Sequence, residues 1–323
     1  MTEVTYRPPA QRTPYPITVV ICAYTMGRWS DLRAAAASVA RQLSDDDELV
    51  IVIDHCPPLL RLALDELRGC RVIANDGRPG LSDARNTGVA ASRGDVVAFL
   101  DDDATARPGW LESIRAAFAH GDVAVTGTRV EPRWQGDAAP RWFPEEFGWV
   151  VGCSYRGLPT QRRAVRNPIG ASMAIRRSSF ETVGGFSRLV GRVGTLPVGC
   201  EETEFCIRLA KASPVARIVF EPGAAVDHFV PRQRQTVKYF LSRCYHEGRS
   251  KAAVARLGGS RSALSAERHY VRSVLPRAVL RALNPVLLRR EPVAALRGAA
   301  VVAGLAATVA GYVAGSRTRR APA

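Results

Sequence analysis

Lysine is scarce in this sequence: Lys211, Lys238 and Lys251 are the only ones among 45 basic side chains in 323 residues. None of them follows a glycine, which excludes the Gly-Lys-Ser/Thr loop of a P-loop nucleotide hydrolase. Glycine is equally thin after the first strand-like run, where YTMGRWS has one, so the turn of a dinucleotide-binding oxidoreductase is missing. A sugar nucleotidyltransferase would carry a glycine-rich loop and a lysine near that strand, and it has neither. The seven cysteines (22, 56, 70, 153, 200, 206 and 244) are odd in number and scattered, without a C-x-x-C pair. They read as reduced thiols of a cytosolic compartment, not as a disulfide framework or a zinc site. The first sixteen residues lack an apolar h-region, so export by a standard signal is not expected.

Basic charge is in excess only at one end. Residues 1–231 hold 27 basic and 27 acidic side chains and sum to zero, whereas residues 232–323 hold 18 and 3. A neutral body with a cationic tail is not the footprint of a uniformly basic nucleic-acid binder, and no nucleic-acid partner is expected. The rival from that class, a non-catalytic protein gripping nucleic acid with its tail, leaves the ordered carboxylates described next unexplained.

From residue 17 onward apolar, β-branched runs alternate with helical patterns. ITVVICA (17–23), ELVIVID (48–54), CRVIA (70–74), DVVAFLD (95–101) and DVAVTG (122–127) predict strands. Residues 28–43, 59–68, 81–92 and 108–119 predict the helices between them. Such runs are buried on both faces, which implies an α/β fold: a mainly parallel sheet flanked by helices, with ligands beyond the carboxyl ends of the strands. Residues 128–200 break the alternation with proline, glycine and aromatic residues, the kind of segment that commonly carries specificity. A helix (200–212), a strand (216–222) and a strand or extended run (224–230) follow, then two basic amphipathic helices near 233–256 and 262–290.

FLDDDA (99–104) ends an apolar strand in Asp101, Asp102 and Asp103. Three adjacent like charges are costly unless a cation compensates them, and hard oxygen ligands at a strand end suit Mg²⁺ or Mn²⁺; the plain alternative is a solvated loop. Asp54 ends the second strand, and GLSDARNTGV (80–89) opens a helix with Arg85 and Asn86. A helix N-terminus and an arginine suit diphosphate oxygens, and a strand-end carboxylate suits a base N–H or ribose hydroxyls.

CAYTMGR, Asp54, GLSDARNTG, FLDDD, GASMAIRR with VGGF, and CEETEF stand in an order that resembles the family 2 glycosyltransferases over roughly residues 17–230. The resemblance implies the GT-A fold and an inverting sugar transfer. It implies that Asp103 and Asp101 hold the metal, with Asp54, Arg85, Asn86, Asp101 and Asp102 around the donor nucleotide. The acidic pair before a helix falls on Glu201 and Glu202, which implies that Glu202 is the base, although the family usually has Asp there and Glu204 is the fallback. The second-strand motif also departs, reading IDHCPP. His228 in VDHFVP is a candidate metal or diphosphate ligand, with a structural role as the alternative. Trp142, Phe143, Phe147 and Trp149 could stack on a sugar or form a small core of their own.

The tail completes the expectation. Residues 232–256 interleave arginine and lysine with Tyr239, Phe240, Leu241 and Tyr245, the composition of a helix on an anionic membrane surface. Residues 298–316 carry no charge and fit a transmembrane span and an interfacial or buried helix equally. The division expected is a flexible segment (1–16), a GT-A catalytic domain (17–231), basic membrane-surface helices (232–292) and an apolar helix with a basic end (293–323). The reading that follows is a transferase at the cytoplasmic face of the membrane. It would move a sugar from a nucleotide-diphosphate donor, a UDP-sugar by the resemblance, to a hydroxyl of a lipid-linked or cell-envelope glycan acceptor. A polyprenyl-phosphate acceptor is the alternative; it is already ionised and needs no base, so Glu201 and Glu202 favour the hydroxyl.

Overall fold

The computed structural model describes residues 15–188, 200–258, 267, 270–287 and 292–317. Most of the expected flexible N-terminal segment, the start of the second basic helix and the basic end after Arg317 lie outside the described residues. The first strands run β1 (Ile17–Ala23), β2 (Glu48–Ile53), β3 (Arg71–Ala74) and β4 (Val96–Asp101). They pair in parallel in the order β3-β2-β1-β4. Helices α1 (Trp29–Ala40), α2 (Pro57–Glu66) and α3 (Leu81–Ala91) connect them. Consecutive side chains of a strand point to opposite faces. Val19, Ile21, Ile51, Ile53, Ala98 and Leu100 therefore join the core on one face, and Val20, Val50, Val52, Val97 and Phe99 the core on the other.

Beyond β4 the sheet becomes mixed, a step that the apolar runs did not announce. A turn at Asp102-Asp103 leads into a three-residue strand, β5 (Ala104–Ala106), and then into α4 (Trp110–Phe118). Strand β6 (Val123–Trp134) is twelve residues, well past the expected end at 127. After a two-residue strand β7 (Arg163–Ala164), strand β8 (Ser172–Arg176) lies antiparallel between β4 and β6. Helices α5 (Arg177–Val183) and α6 (Glu201–Ala212) then cover the second face. The two runs expected at 216–222 and 224–230 are one strand, β9 (Arg217–Val230). Thr128 pairs with Glu221 and Arg129 with Ala225, so the Pro222-Gly223 signal is absorbed as a bulge and not as a turn.

Three helices close the chain: α7 (Val237–Gly258), α8 (Leu275–Leu287) and α9 (Pro292–Arg317). Residues 293–317 are long and apolar enough to cross a membrane, by length and composition. In the fold this helix packs along α7 at backbone distance. A Cβ on Gly311 would sit 1.9 Å from the Tyr245 carbonyl oxygen, and one on Gly248 would sit 2.0 Å from that of Thr308. Helix α7 reaches the body through Phe240, whose ring meets Trp142, Phe143 and Phe147 at 5.2–5.9 Å. Those three rings thus form a shared core with α7. Gly311→Ala is expected to destabilise the fold by about 1–3 kcal/mol, because a backbone oxygen cannot step aside as a side chain can. Denaturant unfolding at constant m-value measures it.

Candidate active site

Strand register assembles the first half of the site. Cys22 pairs with Asp101 and Ala23 with Ile53, so Asp101 and Asp54 emerge together at the carboxyl edge of the parallel strands. Asp54 is committed to shaping the loop beyond β3: it accepts from Asn75 Nδ2 (2.7 Å) and from the Gly80 amide (2.8 Å) at the start of α3. On the other side of Asp101, Ala104 pairs with His228, and the Phe229 amide donates to the Asp103 carbonyl at 2.8 Å. This pairing delivers His228 to the carboxylates: its Nε2 lies 3.1 Å from Asp103 Oδ1. Asp101, Asp103 and His228 each offer a donor atom, all within 4.8 Å of one another.

The electrostatics around Asp103 are asymmetric. Arg28 Nη1 stands 2.7 Å from Asp102 Oδ1 and 3.1 Å from Asp103 Oδ2, and Arg234 Nη2 is 3.8 Å from Asp103. Burial pushes the Asp103 carboxyl up, but His228, Arg28 and Arg234 outweigh it and hold it far below the usual carboxylate range. His228, for its part, is held well above the usual imidazole range: Asp103 overcomes the effect of burial. Asp102 goes the other way, to about 7, because burial and the adjacent Asp103 charge exceed what Arg28 returns. Asp102 Oδ2 is buried without a hydrogen-bond partner, and Asp103 Oδ1 faces the His228 imidazole. Buried carboxylate oxygens beside an imidazole, one of them (Asp102 Oδ2) without a hydrogen-bond partner, are a donor set that fits a hard divalent cation.

Arg85 joins this half to the acidic pair. It projects from α3, is 3% exposed, and lies over the adjoining Phe99 and Phe186 rings. Its guanidinium donates to Glu201 Oε1 (2.8 Å) and to the Gly170 carbonyl (3.0 Å), and stands 3.5 Å from Asp101 Oδ1. Glu201 and Glu202 open α6, 116 residues along the chain from Arg85. Glu201 is buried and spoken for by Arg85, with Oε2 left unpartnered. Glu202 is half-buried on the cavity wall, where Thr203 Oγ1 donates to it over a long 3.5 Å. Burial and the Glu201 charge, opposed by Arg85, push the Glu202 carboxyl up to about 8. Glu204, the fallback base, is buried and clamped by both arms of Arg208 at 2.7 and 2.9 Å. Asn86 gives both ends of its amide to the Phe186 backbone, so it fixes the Gly184-Gly185-Phe186 turn. Arg85→Lys is expected to cost about 1.5–3 kcal/mol of stability, the worth of a charge-assisted bond that an ammonium cannot replace across this fork. Thermal and denaturant melts read it.

Arg85, Asp101, Glu201 and Glu202 line one end of a cavity of about 1290 Å³. The C-terminal helices line the same cavity, and part of the basic face expected of a membrane-surface helix is ion-paired there. Arg243 pairs with Glu247 at 2.7 Å, and Lys251 with Glu247 (3.0 Å) and Glu267 (2.6 Å), all facing the cavity. Arg234 likewise turns inward to Asp103. Lys238 and Arg249 remain exposed. Phe147 and Trp149 line the cavity, while Phe143 is buried in the shared core. No spacing links residues 28, 103 and 234, so the sequence did not place Arg28 and Arg234 beside these carboxylates. A smaller depression of about 590 Å³ around Asp45–Asp47 lies at the amino ends of β1 and β4, away from these groups.

Residues 18–184 match the model of the family described as Glycosyl transferase family 2. The chain belongs to this family. It is 33% identical over 239 residues to a glucosyl-dolichyl phosphate glucuronosyltransferase of Haloferax volcanii, covering 73% of this chain and 76% of that protein. It is 30% identical over 258 residues to a pre-mycofactocin glycosyltransferase of Mycobacterium tuberculosis, covering 77% of this chain and 49% of that one. Among solved structures, a mannosyltransferase from Pyrobaculum calidifontis in complex with GDP-Man and Mn²⁺ superposes with a TM-score of 0.57 at 17% identity, over 94% of this chain and 88% of its own. GalNAc-T7 with UDP, GalNAc and Mn²⁺ gives 0.53 at 19% identity, over 75% and 51%. Both share the GT-A fold with this family 2 glycosyltransferase.

Proposed function

We propose that this glycosyltransferase moves a sugar from a nucleotide-diphosphate donor, a UDP-sugar being the first candidate, to a hydroxyl of a lipid-linked or cell-envelope glycan acceptor, with inversion at the anomeric carbon. The observation that carries the reading is Arg85, which ties Asp101 to Glu201 and so joins the end of β4 to the acidic pair in one cavity. Asp101, Asp103 and His228 would hold Mg²⁺ or Mn²⁺, which when bound neutralises charge on a diphosphate leaving group. Asp54 and the start of α3 border the nucleotide, Arg85 and Asn86 position its floor, and Asp102 anchors Arg28. Glu202 accepts the proton of the acceptor hydroxyl as that oxygen bonds to the anomeric carbon. The bond from that carbon to the diphosphate breaks, and its electron pair leaves with the nucleotide. One carboxylate base with a separate charged leaving group is the balance of a single displacement, unlike the two flanking carboxyls of a retaining glycosidase.

The name of the Haloferax relative, a glucosyl-dolichyl phosphate glucuronosyltransferase, supports a lipid-linked substrate, and α8 and α9 with their exposed leucines and valines support docking at a membrane surface. The nucleotide-bearing side would face the cytoplasm, in keeping with seven free cysteines among the described residues. A thermal-shift screen of nucleotide sugars with and without Mn²⁺, followed by turnover of the hit with lipid-linked acceptors, tests the reading. Stabilisation that needs both Mn²⁺ and nucleotide supports it; no nucleotide effect under any condition refutes it.

A further inference from the structure

Helix α9 has two sides of opposite character. Gly304, Thr308, Gly311 and Gly315 recur at helical spacing on one side, and that side is closed against the protein. A Cβ on Gly304 would meet Phe147 at 2.6 Å and Phe240 at 2.9 Å, and one on Gly315 would lie 3.0 Å from Ala252. Together with the approach of Gly311 to Tyr245, these contacts set α9 beside α7 in the same direction, from Phe240 to Ala252. Both ends are tied as well: Arg297 Nε donates to the Arg141 carbonyl at 2.9 Å, and Arg256 Nη1 of α7 donates to the Gly315 carbonyl at 2.5 Å. Val302, Ala306, Ala310 and Val313 lie on the opposite side of the helix from the glycines, and all four are exposed. No charged residue stands between Arg297 and Arg317.

At 26 residues α9 is about 39 Å long, enough to cross a bilayer core of roughly 30 Å. Crossing is at odds with how the helix is held. If α9 spanned while packed as it is, the stretch of α7 beside it would sit at the depth of the acyl chains. The Phe147 segment, the pairs of Arg243 and Lys251 with Glu247, and the exposed Arg249 would go with it. Charges and irregular backbone facing lipid are costly there. If α9 instead left the body in order to span, Phe147, Phe240 and Gly248 would lose their cover and both end bonds would break. A helix lying in the membrane plane meets neither cost, since one side stays on α7 while the uncharged side enters the headgroup boundary. Charge selects the surface. Residues 232–323 hold 18 basic and 3 acidic side chains, and Lys238, Arg249, Arg297 and Arg317 are exposed. A second copy of the chain would bring the same basic excess against this face, whereas an anionic leaflet neutralises it. We propose that α9 lies in the plane of an anionic membrane surface and does not cross it, with Val302, Ala306, Ala310 and Val313 turned into the lipid. Both ends of α9 and the whole body then stand on one side of the membrane. The proposal goes beyond the transferase reading and is independent of it, since no catalytic residue enters it.

Protease protection in membranes from cells producing the full-length protein tests the topology, with one epitope tag at the N-terminus and another at the C-terminus. Both tags are expected to be cut together in one vesicle orientation and spared together in the other. Flotation of the purified protein with vesicles tests the surface. Phosphatidylglycerol vesicles are expected to bind it about tenfold or more better than phosphatidylcholine vesicles. V302E combined with V313E is expected to lower that binding about tenfold or more, because two apolar contacts are lost and two charges of the lipid's own sign are gained. An unchanged thermal melt shows that the variant is folded, and the tag and lipid results on the parent protein decide the matter whatever the variant does. Tags cut on opposite sides, flotation no better on phosphatidylglycerol than on phosphatidylcholine, a folded variant that floats like the parent protein, or a concentration-dependent dimer that the variant abolishes would each overturn the proposal.

Discussion

Asp103→Asn is expected to lower kcat/KM by about three orders of magnitude, the several kcal/mol that a correctly held divalent ion contributes to a developing diphosphate charge. The substitution keeps the shape of the side chain and removes one charge from a cluster already crowded with cations: Arg28 at 3.1 Å, His228 at 3.1 Å and Arg234 at 3.8 Å. With the neutral amide in place Arg28, His228 and Arg234 lose the carboxylate they share, and a divalent cation would lose one of the two carboxylates among its candidate ligands. Mn²⁺-dependent nucleotide binding should therefore be lost along with turnover. Titration of UDP in the presence and absence of Mn²⁺ checks this, with circular dichroism as the control for folding. If the variant bound nucleotide with unchanged Mn²⁺ dependence, Asp103 would not be a metal ligand. Because Asp103 raises His228, a second signature follows. The imidazole pKa should fall in the variant, visible as a shifted histidine titration by NMR, since burial then acts with less opposition.

How much of this was readable before the fold was known depends on the range of the interaction. The alternation of β-branched runs with Ala-rich helices gave β1 to β4 within a residue or so, because burial on both faces leaves a continuous apolar signature. It also put Asp54 and Asp101 at strand ends, and parallel register alone then brings those ends together. Where the mixed half begins, the signal fails. Strand β5 is three residues of Ala-Thr-Ala, too short for any periodicity, yet its pairing with β9 is what delivers His228 to Asp103. The charged face of α7 shows a different limit. Arg243 and Lys251 read as membrane-surface residues from composition, and in the fold both pair with Glu247 in the cavity wall, beside the glycine seam between α7 and α9. Which face of a basic helix is wet is decided by what packs on the other face, and that information lies some 60 residues away. The same holds for Glu204: its fate as the partner of Arg208 is an i,i+4 relation the sequence contained, whereas the freedom of Glu202 was not.

Glu202→Gln is expected to cut kcat by about 10²–10⁴-fold while leaving nucleotide binding intact, the range set by positioned general-base catalysis. The pH profile distinguishes a base from a structural carboxylate. Burial and Glu201 raise the Glu202 carboxyl to about 8 in the free protein, so kcat/KM should climb with pH, about tenfold per unit, and level off above that value. In the glutamine variant the ascending limb should vanish and leave a low, flat residue. Stability must move in the opposite sense. A carboxyl whose pKa is raised by folding favours the folded state while protonated; its contribution is whole below the ordinary glutamate range and is lost as pH rises through about 8. Glu202→Gln removes that titration, so the variant should lose less stability between pH 5 and 9 than the parent protein, even as it loses its activity. A stabilised, inactive and pH-insensitive variant identifies the base; an active variant that keeps the limb assigns the proton to another group, with Glu201 the next carboxylate in the cavity.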